Sequence, residues 1–171
     1  SHRAIMLGSI SKGETIVKNI LLSEDTLSTI ECFRKMGVKI DIYKDENMVK
    51  IQGNGLYGLK KPNGPLDCGN SGTTTRLMAG LLSAQSFPSQ LIGDGSLSKR
   101  PMDRIINPLK EMGANIEGVH GNYPPLNIYP VEKLRAIEYT LPIASAQVKS
   151  AILLASIYTE EKSKVIENKP T

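Results

Sequence analysis

Hydrophobic and polar positions follow two rhythms along these 171 residues, and each rhythm marks a kind of element. Three stretches, 4–10, 77–84 and 151–155, hold small and aliphatic residues with almost no charge. Each reads as the apolar part of a helix with a basic residue near its start, in "SHRAIMLGSI", "TTTRLMAGLL" and "AQVKSAILLAS". Two further stretches show the one-sided stripe of an amphipathic helix. Ser23 is a capping residue before the first, with Leu27, Ile30, Phe33 and Met36 on one side. Pro101 opens the second at a favoured first-turn position, with Ile105, Leu109 and Met112 inward. Both run into a glycine, Gly37 or Gly113, the usual left-handed end of a helix. After each glycine the period drops to two. Paired strands are expected over 38–43 with 48–52, and over 115–119 with 126–129. Shorter strands are expected at 15–19, 66–68, 90–93, 137–141 and 164–167.

The elements recur in order. Arg3, Arg76 and Lys149 are spaced by 73 residues, and Met36-Gly37 and Met112-Gly113 by 76. That period is too long for a solenoid unit and reads as a whole module, β-α-β-α-β-β. The expected fold class is α/β (α+β), with modules at about 1–65, 66–136 and, in part, 137–171. The first module lacks its opening strand and the third its second half. If three modules complete the domain, about 40 residues follow Thr171. The start at Ser1, with no initiator Met, agrees with an incomplete chain. Small residues at Gly8, Ser9, Ala79, Gly80, Ala151 and Ala155 suit close packing of the three apolar helices at a common centre.

Composition narrows the function. Hydrophobic residues make up 40% of the chain, enough for a core, and with no Trp and two Phe that core must be aliphatic. The net charge of +4 is mild, and the basic residues are scattered rather than striped with aromatics. That pattern argues against a nucleic-acid partner and suits small anionic ligands. Cys32 and Cys68 have neither metal-ligand nor disulfide-framework spacing, which fits a reducing cytosol and a cytoplasmic location. The longest apolar run is far too short for a membrane span, and no secretory signal is present.

Candidate chemistry gathers in "LDCGNSGTTTRLMAGLLSA", residues 66–84. A strand end meets Gly69-Asn70-Ser71-Gly72, then three threonines and Arg76 at the start of a helix. Free N–H groups and the helix dipole favour an anion there, glycines allow close approach, and hydroxyls and an arginine add donors. The stretch is neither a Walker A loop nor G-x-G-x-x-G. A plain capped helix would use the same Asn, Ser and Thr residues, so the stretch alone supports both readings.

Taken in order, "GNSGTTTRLMAGLL", "LSKRPMDRIINPLKEMGA" and "PIASAQVKSAILLA" resemble the 5-enolpyruvylshikimate-3-phosphate synthases, and "SHRAIMLGSIS" resembles the start of their N-terminal domain. The resemblance covers the whole chain. It implies two like domains, each of three modules about a pseudo-threefold axis, of which this chain is part of the N-terminal one. It implies transfer of the enolpyruvyl group of phosphoenolpyruvate to the 5-hydroxyl of shikimate 3-phosphate, in aromatic amino-acid biosynthesis. Carbon 3 is protonated, the hydroxyl attacks carbon 2, and phosphate leaves. No metal or organic cofactor is implied.

Position by position, the resemblance makes Arg3, Ser145, Ala146 and Gln147 contacts of shikimate 3-phosphate. Ala146 stands where some relatives have Ser, so only its backbone can serve. Gly72, Arg100, Asn70 and again Gln147 would face phosphoenolpyruvate or the inhibitor glyphosate. Arg76 would brace the cleft between domains. The family's Lys-Ser pair before Ser1 lies outside the chain, as do the C-terminal domain and the proton-handling groups it carries, so the chain alone is expected to be inactive. Leu77 stands where many relatives have Pro, which touches the placement of Gly72. Two rivals remain: the sister transferase acting on UDP-N-acetylglucosamine, which uses a reactive cysteine in a mobile loop, and a non-catalytic RNA-binding module of related fold.

Overall fold

A computed structural model of the protein describes residues 1–167; the end of the third expected module, 168–171, lies outside the described residues. The first run of elements is α1 (His2–Ile10), β1 (Lys12–Val17), α2 (Glu24–Lys35), β2 (Lys39–Tyr43) and β3 (Met48–Asn54). The second is β4 (Leu66–Asp67), α3 (Gly72–Leu82), β5 (Ser89–Ile92), α4 (Asp103–Glu111), β6 (Asn115–Val119) and β7 (Tyr123–Tyr129). The third is β8 (Glu138–Thr140), α5 (Ala146–Ser156) and β9 (Lys164–Ile166).

Each run carries its own sheet. The first, in order β1-β3-β2, is antiparallel throughout. The second, β4-β5-β7-β6, joins β4 to β5 in parallel and the rest antiparallel. The third is the parallel pair β8-β9. Alternation fixes which strand face is buried. Ile40, Val49 and Ile51 point inward from the first sheet, and Ile116, Leu126 and Ile128 from the second.

Local sequence accounts for most of the boundaries. The Ser23 hydroxyl accepts the Thr26 N–H at 3.3 Å to cap α2, which carries Glu24 and Asp25 in its first turn and Arg34 and Lys35 in its last. That charge order complements the helix dipole. Gly37 and Gly113 both adopt positive φ, +90° and +95°, just past α2 and α4.

Three expectations need correction. Pro101 does not open α4, which begins at Asp103 after Met102. Met102 is fully buried and its N–H donates to the Asn122 carbonyl at 2.7 Å, so this tie to the β6–β7 turn holds residues 101–102 out of the helix. The first strand spans Lys12–Val17, not 15–19: pairing with β3 begins at Lys12 opposite Asn54, and Asn19 lies in the left-handed region at φ 56°. The three apolar helices meet at their N-terminal ends but do not pack equally on one another. α3 is central, buried from Leu77 through Leu82, and α5 lies directly on it. A Cβ on Gly80 would stand 2.3 Å from the Ala151 carbonyl oxygen, so the two helices touch backbone to backbone. α1 instead packs on β3, β1 and α2, with Gly8 over Ile51 and Thr15 and with Leu7 46% exposed.

The core is aliphatic, as the composition requires, with Phe33 its one fully buried ring. Each fully buried Leu, Ile or Met contributes about 1.5–3 kcal/mol.

Candidate functional site

Three helices point their N-terminal ends into one space. Ser71 caps α3, its hydroxyl accepting the Thr74 N–H at 3.0 Å, and Ser145 caps α5, accepting the Val148 N–H at 3.2 Å. α1 starts beside them after Ser1, which makes no side-chain cap bond. A cavity of about 160 Å³ lies between the three ends, lined by Ser1, His2, Arg3, Thr73, Leu77, Ala146, Gln147 and Ser150. The structure thus brings Arg3, Ala146 and Gln147 together, 143 and more residues apart in the chain.

The loop before α3 is set by its neighbours. The Asp67 carboxylate accepts the Gly69 N–H at 2.8 Å, and Gly69 takes positive φ. The Gly69 carbonyl accepts the Asp94 N–H at 2.8 Å, so the segment leading to Arg100 is tied over the loop. At Gly72 the absent Cβ is filled by cations: it would lie 2.6 Å from Arg76 Nη1 and 2.9 Å from Arg100 Nη1. Arg76 Nη1 donates to Gln147 Oε1 at 3.0 Å, and Gln147 Nε2 donates to Thr73 Oγ1 at 2.7 Å. Gln147 therefore links the cavity to the cation pair above Gly72.

The electrostatics are one-sided. Arg76 sits half-buried, and burial first, then Arg100 and Arg104, lower its guanidinium below the ordinary value; it remains a cation. None of Arg3, Arg76, Arg100 and Arg104 pairs with a carboxylate among the described residues, where the ion pairs are Arg34–Glu31, Lys133–Glu160 and Lys149–Glu167. Cations without counter-charges beside two capped helix starts make a place for an anion.

Asn70 is exposed at the loop, one residue before the Ser71 cap. The Ser145 oxygen is engaged as a cap acceptor, which leaves its O–H to donate. Sequence reading missed Thr73, which holds Gln147, and Arg104, which adds to the field at Arg76. Thr73 lay inside the quoted hydroxyl cluster; Arg104 carried no signal beyond its charge. It also missed a buried hydroxyl chain behind the site. His2 Nδ1 lies 2.8 Å from Thr29 Oγ1, Thr29 Oγ1 lies 2.9 Å from Thr74 Oγ1, and Thr74 Oγ1 donates to Ser71 Oγ at 2.8 Å. Burial, then the Ser1 amino group, lower the His2 imidazole below its ordinary value, against an opposing pull from Asp25.

Cys32 and Cys68 are free thiols, both buried. Among the described residues no group of three or more His, Cys, Asp or Glu could hold a metal, and no helix is long and apolar enough to cross a membrane.

Comparison with known proteins gives one family. The model of EPSP synthase (3-phosphoshikimate 1-carboxyvinyltransferase) matches residues 1–171. The chain is 56% identical over 171 residues to a 3-phosphoshikimate 1-carboxyvinyltransferase of Hydrogenovibrio crunogenus, and 53% over 172 residues to one of Streptococcus pyogenes. All of this chain is covered, but only 38% and 40% of those proteins. A solved EPSP synthase of Acinetobacter baumannii superposes with a TM-score of 0.95 at 50% identity, over 99% of this chain and 38% of that one.

Proposed function

The chain belongs to the EPSP synthase family, and we propose that it supplies one wall of a cleft in which shikimate 3-phosphate and phosphoenolpyruvate react. The observation that carries the reading is the set of guanidiniums with no carboxylate partner among the described residues, Arg76 and Arg100 over Gly72 and Arg3 across the cavity, beside the starts of α1, α3 and α5. Two multiply charged anions need cations and helix starts held in place before they arrive. In this reading Arg3, the Ser145 hydroxyl, the Ala146 N–H and Gln147 take the phosphate of shikimate 3-phosphate. Gly72, Asn70, Arg76 and Arg100 take phosphoenolpyruvate, or glyphosate in its place. Gln147 serves both because it bridges Arg76 and Thr73. The residues here bind and orient; proton transfer to carbon 3 and from the 5-hydroxyl belongs to groups outside this chain. Because the chain spans about two-fifths of its relatives, turnover is assigned to a longer protein and not to these residues alone.

Neither rival gains support. Both cysteines are buried, Cys32 at 1% and Cys68 at 0% exposure, unlike a reactive cysteine of the UDP-N-acetylglucosamine enzyme. No Phe, Tyr or Trp lines the cavity to give a nucleic-acid base a stacking platform.

Titration of the chain with shikimate 3-phosphate, followed by amide NMR, tests the reading. Each charge-assisted contact is worth roughly 1.5–3 kcal/mol, and a few of them set against the cost of association give an affinity on the order of millimolar. Shifts should cluster at Arg3, Gly72, Thr73 and Ala146–Gln147, and Arg3→Ala should abolish them without unfolding an exposed position. Equal shifts in both proteins, or shifts elsewhere only, would reject the site.

A further inference from the structure

The hydroxyl chain behind the site has no role in the binding just described, and it is costly to build. Thr29 and Thr74 are fully buried and Ser71 is 1% exposed. A buried hydroxyl is tolerated only when bonded, and replacing both partners of such a bond by apolar groups is often neutral. Ser71 stabilises α3 as its cap, but stability alone gives no comparable reason for the two buried threonine hydroxyls linked to it. What they join is informative. At one end is His2, the neighbour of Arg3; at the other is Ser71, the cap of α3 and neighbour of Gly72.

The first turn of α1 is otherwise weakly held. Ser1 makes no cap bond, no acidic residue sits in the turn, and Arg3 is exposed. Among the described residues, the His2–Thr29 contact is the one side-chain hydrogen bond made by residues 1–3. Thr29 and Thr74 also reach the Asp25 carbonyl, but at 3.4 Å, too long to replace the shorter links.

We propose that Thr29, on a helix that lines none of the cavity, is a positioning residue: through His2 and Thr74 it fixes the start of α1 against the start of α3, and so sets Arg3 opposite Gly72 and Thr73 before an anion arrives. The inference rests on the anion site described above. α1 and α3 each pack on α2, and apolar packing on it alone would let their starts slide past each other, whereas three linked hydrogen bonds fix their register. A misplaced arginine loses its charge-assisted contact even when it stays nearby.

The test is Thr29→Val, which keeps the volume and removes the hydroxyl, beside Thr29→Ser, which restores it. Thr26→Val on the same buried face of α2 is the control; Thr26 bonds only to its own cap, Ser23. Shikimate 3-phosphate is titrated into each 171-residue chain, and the His2 ring nitrogens are followed by 15N NMR. Thr29→Val should bind about tenfold more weakly, the scale of one lost charge-assisted contact, and should move the His2 Nδ1 signal. Thr29→Ser should return both to within about twofold of the original, and Thr26→Val should leave both unchanged. Wild-type affinity in Thr29→Val, an unmoved Nδ1 signal, failure of Thr29→Ser to restore binding, or equal weakening by Thr26→Val would each overturn the positioning role. Absence of binding by the original chain would overturn the anion site itself, a separately visible result.

Discussion

At Gly72 the space of one methyl group separates stability from binding. A Cβ there would meet only the ends of two flexible side chains, Arg76 and Arg100, so the backbone need not move and the guanidiniums must. Alanine is also the better helix former, by up to about 1 kcal/mol in a helix interior. Gly72→Ala should therefore keep or slightly raise the melting temperature while weakening anion binding about tenfold, the loss of one charge-assisted contact. Calorimetry and the ligand titration measure the two separately; a variant that melts early yet binds normally would contradict the packing described here. Single residues were legible in the sequence where their meaning was local. Ser71 and Ser145 announce helix starts, and both cap them. Thr74 lay inside the hydroxyl cluster the sequence offered, but Thr29 did not stand out, because its partners His2 and Thr74 lie 27 and 45 residues away and a threonine in a helix reads the same whether or not it is bonded.

Among elements, the decisive contact is α3 on α5. It works because Gly80 lets the helices approach until backbone meets backbone at Ala151. Gly80→Ala drives a methyl group into a carbonyl that cannot rotate away, so overpacking of about 1–3 kcal/mol outweighs the gain in helix propensity. Gly8 makes the informative comparison: its Cβ would meet Ile51 Cδ1 at 3.0 Å and Thr15 at 3.3 Å, side-chain atoms that can shift. Thermal melts should rank Gly80→Ala well below Gly8→Ala, and Gly80→Ala should also disturb the Gln147 bonds to Arg76 and Thr73 by displacing α5. The reverse ranking would mean that α3 and α5 do not meet as described. The order of elements was readable from alternation, caps and glycines because each is a short-range signal. What sequence missed was set by distant atoms. The start of α4 moved because the Met102 N–H found Asn122, and α1 left the expected three-helix centre because Gly8 fits over β3 and β1 rather than over another helix.

Over the whole molecule, the amphipathic helices act as clamps: α2 packs on both α1 and α3, and α4 on both α3 and α5. Among the described residues no third such helix lies across α5 and α1. Beside α1, β1 and the residue just past α5 the surface is apolar, a groove that includes Leu7, Ile16, Leu56 and Ile157, with Leu7 and Ile16 each 46% exposed and Ile157 41%. Exposed apolar surface of this kind calls for a covering element. The curated relatives are longer than this chain, which spans 38% and 40% of two of them, and a helix from such a relative's further residues is the candidate cover. The 171-residue chain should therefore bind a hydrophobic dye in its native state. A chain extended past Thr171 by the matching residues of a relative should bind less dye and melt higher. Leu7→Ser sharpens the test, since its cost depends on what covers it. In the short chain a half-exposed leucine gives up little, under about 1 kcal/mol, whereas beneath a covering helix the same change should cost about 2 kcal/mol. Denaturant unfolding of the four proteins yields both differences. An equal cost of Leu7→Ser in the short and extended chains would mean that the added residues pack elsewhere and that the groove beside α1 and β1 is not the seat of a third clamp.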